Sequence, residues 1–63
     1  MDIHELDGVR LKDGREGTVL DFYEGGTILM LEICDDKGHT LDIPFVPKED
    51  VVEIIYHAPT AHT

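Results

Sequence analysis

The chain contains no serine and a single cysteine, Cys34. Without serine there is no Ser-His-Asp nucleophile. With one cysteine there is no internal disulfide, so oxidative stapling does not hold the chain together, and a reducing, cytoplasmic setting is expected. Basic residues are scarce. Five Lys and Arg stand against fourteen Asp and Glu, a formal net charge of −9. A field of that sign disfavours the phosphate backbone of nucleic acid and favours solubility or a basic protein partner. Long apolar runs are missing too. The longest, Ile28-Leu29-Met30-Leu31, falls far short of the roughly 20 residues of a membrane-spanning helix. No basic start leads into an apolar stretch, so neither a signal peptide nor membrane association is expected. Sustained helical periodicity is absent as well.

What is present is a succession of short apolar segments punctuated by Gly8, Gly14, Gly17, Gly25, Gly26 and Gly38. That pattern predicts several short strands joined by turns. The 63 residues suffice for one domain, which at this size hides only about 60% of its unfolded surface. Such a thin core leaves little room for a deep cofactor pocket, so neither an enzyme nor a cofactor is expected.

Alternation predicts a first strand over 9–12, with Val9 and Leu11 inward. A second strand, over 17–23, breaks alternation because Val19 and Phe22 are three apart. A bulge or sharp bend brings both inward. Glu24-Gly25-Gly26 makes a hairpin turn. A third strand, over 27–34, turns Leu29, Leu31 and Ile33 inward and leaves Ile28, Met30, Glu32 and Cys34 outside. Asp35-Asp36-Lys37-Gly38 forms the next turn, with Gly38 left-handed. A fourth strand, over 39–46, is expected to bury Leu41, Ile43 and Phe45, with Pro44 facing away from any ladder. Pro47-Lys48-Glu49-Asp50 suits a single 3-10 turn. The last strand, over 51–56, has two possible inward faces: Val51 with Ile55, or Val52, Ile54 and Tyr56. Ile3 and Leu6 are placed to cap an open end of the core. The expected architecture is an all-β, five-strand antiparallel SH3-like barrel over residues 1–57, followed by a disordered C-terminal tail over 58–63.

Val9 through Phe22, with its polar loop, Gly17 and the spaced pair Val19 and Phe22, resembles the KOW motif. The stretch from Gly25-Gly26-Thr27 to Val51 is similar to a group of uncharacterised bacterial small proteins, in which a proline-acidic 3-10 turn precedes the last strand. Together the two likenesses cover residues 7–56. They imply an SH3-like barrel, and the KOW likeness implies binding to RNA or to proteins of transcription and translation. The acidic charge departs from the basic surface such binders carry.

Histidines 4, 39, 57 and 62 show no compact metal-ligand spacing. Cys34 and His39 bracket a turn and supply too few ligands for a closed zinc site, so no metal site is expected. Asp35, Asp36 and Asp42 read as turn carboxylates held by local hydrogen bonds rather than as an acid–base pair. The glycines lack the ending of a phosphate loop. Arg10, Lys12 and Arg15 form the one basic cluster, a nucleic-acid footprint if Tyr23 or Tyr56 stacks beside it, though Asp7, Asp13 and Glu16 interleave. The outer row Ile28, Met30 and Cys34 is an apolar strip suited to a partner protein or to a second copy of the chain. The expected function is therefore a non-enzymatic protein-interaction module of accessory, regulatory, antitoxin or immunity type. The alternative is a KOW-like nucleic-acid or ribosome-associated binder.

Overall fold

A computed structural model describes residues 1–58. Among them the chain is all-β, with two single-turn 3-10 segments. The strands are β1 (Gly8–Leu11), β2 (Glu16–Tyr23), β3 (Ile28–Cys34), β4 (Thr40–Asp42), β5 (Phe45–Pro47) and β6 (Val51–Tyr56). They form one antiparallel, open six-stranded sheet in the order β4-β3-β2-β1-β6, with β5 also paired to β3. No helix among the described residues is long and apolar enough to cross a membrane.

The central hairpin follows from alternation and one irregularity. Val19 lies opposite Leu31 and Phe22 opposite Leu29, and the register shifts between Val19 and Asp21. The extra residue, Leu20, turns the three-residue gap into a bulge, so Val19 is buried and Phe22 packs against the core. Leu29, Leu31 and Ile33 face inward as alternation requires, and Leu29 and Leu31 are fully buried. Each such side chain contributes about 1.5–3 kcal/mol over leaving it in water. With Val9 and Leu11 of β1 they make the centre of the core.

The fourth strand departs from expectation. It is two short strands, β4 on the C-terminal half of β3 and β5 on the N-terminal half. Pro44 lies between them. It has no amide hydrogen to give a ladder, but its carbonyl accepts from the Leu31 amide at 3.0 Å. The break resets which side each residue faces. Val46 lies opposite Leu29 and is buried, whereas Leu41, Ile43 and Phe45 are 66%, 47% and 62% exposed. Those three residues, expected inside, are therefore outside. Val46 takes the inward place because only its parity in β5 matches that of Leu29.

β6 settles its own ambiguity by a similar device. It pairs with β1 as Leu11↔Val51, Arg10↔Glu53, Val9↔Ile54 and Gly8↔Tyr56, with two register shifts. Val52 and Ile55 are the extra residues, so Val51 is buried and Ile54 half-buried, a pair three apart that strict alternation does not offer. Gly8 matters here for space rather than flexibility. A Cβ at this position would overlap the ring of Tyr56, which covers it.

The expected turns form. Glu24–Gly26 and Lys48–Asp50 are 3-10 turns, and Gly38 has φ of 85°. The second turn ties two parts of the sheet together, because the Lys48 amide donates to Thr27 and the Lys12 amide to Asp50. Ile3 is buried as a cap on the core, while Leu6 is exposed at φ of 70° with its amide bonded to the Val19 carbonyl. Of the expected tail, Ala58 alone lies within the described residues, and its amide is bonded to Asp7.

Candidate functional site

The outer surface of the central hairpin gathers large side chains. Met30 of β3 lies opposite Phe45 of β5, so both point away from the core. Tyr23, at the end of β2, brings its ring to 5.4 Å from that of Phe45 at an interplanar angle of 69°, an edge-to-face pair. The Tyr23 hydroxyl approaches the Met30 sulfur at 4.0 Å. Leu41 and Ile43, displaced from the core by the break at Pro44, are exposed on the neighbouring segment. The domain thus shows solvent a sulfur–aromatic cluster that its own core does not use.

The structure distributes the expected outer row. Met30 is half-buried beneath the aromatic pair. Ile28, also half-buried, lines a groove of about 560 Å³ with Met1, Ile3, Pro47 and Val51. Cys34 is exposed and borders a shallower recess of about 230 Å³ with Gly17, Glu32 and Tyr56. Phe45 and Tyr23 are exposed apolar residues beside Met30 that lie outside the row expected from the sequence. Alternation places Phe45 in the core, and only the change of parity at Pro44 brings it out.

Each member of the basic cluster faces a carboxylate. Arg10 contacts Glu16 and Glu53, Lys12 Nζ lies 3.1 Å from Asp50, and Arg15 Nε lies 2.8 Å from Asp13. The hydrogen bond and charge of Asp50 push the Lys12 ammonium up from its ordinary value. The amide and guanidinium of Arg15 hold the Asp13 carboxyl down, against the opposing effect of desolvation. Arg10, Lys12 and Arg15 therefore present paired charges rather than a continuous positive strip.

Asp35 accepts the amides of Lys37 and His39, each at 2.9 Å, and lies 3.3 Å from His39 Nδ1. These bonds, the His39 amide foremost, hold its carboxyl below the usual range. This is the turn chemistry read from the sequence.

A different cluster forms across the fold. Asp7 is 1% exposed. Its Oδ2 accepts from the His4 amide at 2.8 Å and lies 3.3 Å from Nδ1 of His57; its Oδ1 accepts from the Ala58 amide at 2.9 Å. Burial by itself pushes the Asp7 carboxyl up. The two amides and the His57 imidazole outweigh it and hold the group below the ordinary carboxylate value. His4 and His57 stand far apart in sequence, and no local spacing announces that they meet at one carboxylate.

Comparisons with protein-family models, with curated proteins and with solved structures found no match for this chain.

Proposed function

We propose that this chain is a non-enzymatic protein-interaction module of accessory, regulatory, antitoxin or immunity type, built as an SH3-like barrel related to KOW domains. The observation that carries the functional reading is the cluster of exposed Tyr23 and Phe45 with half-buried Met30. None of those side chains belongs to the core cluster, and a contiguous apolar patch on so charged a surface is characteristic of a contact site. Aromatic residues and methionine are also the types enriched where proteins meet. The acidic remainder of the surface suits a partner with a basic rim, and a second copy of the chain is the other candidate. The barrel reading is supported by the route of the chain. β5 pairs with β3, and the turn at Lys48–Asp50 leads from it directly to β6 against β1. Nucleic acid is disfavoured as a partner because the basic cluster is already neutralised by Glu16, Glu53, Asp50 and Asp13.

The test is the double change Met30→Lys with Phe45→Lys. Light scattering over a concentration series reports self-association, and capture from the native cell reports a different partner. The variant is expected to stay folded and to lose the contact that the parent makes. A parent that stays monomeric and captures no protein, or a variant that keeps the contact, would refute the reading.

A further inference from the structure

Two imidazoles converge on one buried oxygen. His57 Nδ1 is 3.3 Å and His4 Nδ1 3.8 Å from Oδ2 of Asp7. The first distance suits a weak hydrogen bond; the second is beyond hydrogen-bond reach. One protonated histidine would be enough to neutralise this carboxylate, so the second ring is surplus to an ordinary ion pair. We propose that His4, Asp7 and His57 form a binding site for a divalent transition-metal cation of the zinc type, which fastens the start of the chain to the end of β6.

The donor set fits that class. Two imidazole nitrogens and one carboxylate oxygen suit zinc, whereas calcium and magnesium prefer oxygen alone. The spacing fits as well. With metal–ligand bonds of about 2.0–2.2 Å, neighbouring ligands of a tetrahedral site stand about 3.3–3.6 Å apart. Both distances to Oδ2 lie near that range, and one ligand atom from each of the three residues lies within 4.8 Å of the other two. The adjustment still required falls on the side chains best able to make it. The imidazoles of His4 and His57 are 64% and 65% exposed, while Asp7 is held in place.

The surroundings resemble a second shell. The carboxylate is oriented by the amides of His4 and Ala58, as ligating carboxylates commonly are. On the far side of the His4 ring, Nε2 lies 3.6 Å from the Asp2 carboxylate. Nδ1 is the ring nitrogen turned toward Asp7. On binding, the cation comes between His57 Nδ1 and Asp7 Oδ2, and a proton held between them is released to solvent. Three protein ligands leave a fourth position for water. The ligands meet only in the folded chain, so binding stabilises it by mass action. The Asp35–His39 pair makes a useful contrast. It has a similar separation, 3.3 Å, but no third ligand joins it among the described residues.

The experiment uses the full chain without a histidine tag, titrated with Zn²⁺ by calorimetry and by NMR of the imidazole rings. One equivalent is expected to bind, to move the His4 and His57 ring signals together and to raise the melting temperature. His4→Ala and His57→Ala alter exposed side chains, and circular dichroism checks that both variants fold. Each is expected to weaken binding by more than about tenfold, the least that even an outer-shell change commonly costs. His39→Ala is expected to leave affinity unchanged. The proposal is overturned if zinc binds equally well to the His4 and His57 variants. It is also overturned if the shifts appear at His39 and Cys34 instead, or if stoichiometric zinc moves neither the His4 nor the His57 ring.

Discussion

In β3, Leu29, Leu31 and Ile33 alternate with outward residues, and all three are buried. Twelve residues further along the chain, Leu41, Ile43 and Phe45 alternate with the same regularity, and all three are exposed. The difference lies in the ladders. β3 is flanked by β2 on one edge and by β4 and β5 on the other, so its parity is locked along its length. The later segment is paired in two short pieces with Pro44 between them, and the core needs only Val46 from it. Apolar alternation therefore specifies a two-sided strand, and neighbouring pairings decide which side is wet.

The sharpest way to break this comparison is to truncate one leucine from each region. Leu31→Ala is expected to cost about 2–5 kcal/mol, a large share of what a small domain holds. Leu41→Ala is expected to stay within about 0.5 kcal/mol, as surface changes usually do. Urea unfolding of the two variants measures both. Equal costs would mean that Leu41 contributes to the core after all.

A second test probes the β1–β6 edge, where bulges rather than alternation set the faces. Gly8→Ala forces the Tyr56 ring away, because the new Cβ would overlap it. The expected cost is about 1–3 kcal/mol. In a Tyr56→Ala background the same change is expected to be nearly neutral, so a double-mutant cycle should show coupling of about 0.5–3 kcal/mol. An additive cycle would show that Tyr56 does not cover Gly8 in solution.

The joint between the chain's first turn and the end of β6 should respond to acid. The Asp7 carboxyl is held below its ordinary value when folded, so the unfolded chain binds its proton more readily. The stability from Asp7 is therefore fully present above about pH 4 and is lost as pH falls through the lower folded value. Thermal melts of the metal-free chain between neutral and strongly acid pH should show this loss, and Asp7→Asn should flatten it. An unchanged acid limb in the variant would assign the pH dependence to other carboxylates.

The smallest effect is expected at the exposed ion pairs. Arg10→Ala removes contacts to Glu16 and Glu53 on adjacent strands. Exposed pairs of this kind contribute less than about 1 kcal/mol, and added salt should narrow the difference further. A loss as large as that of Leu31→Ala would mean that the arginine stem packs on the sheet as well as pairing.

Much of the fold was legible in the residues themselves. Glycine-bounded apolar segments give the strands, the Val19–Phe22 gap gives the bulge in β2, and Pro47 gives the 3-10 turn, because each depends on the local conformational preferences of a few neighbours. Glu32 correctly marks the outer face of β3 for the same reason. Tertiary structure decided the rest. Side-chain parity holds only within an uninterrupted ladder, so the break at Pro44 sends Leu41, Ile43 and Phe45 outward, and the bulges at Val52 and Ile55 select Val51 and Ile54. The meeting of His4 and His57 at Asp7 lies further from sequence view. Asp7 and His57 are separated by 50 residues, and their contact exists because β1 pairs with β6, an arrangement that no local pattern in either segment encodes.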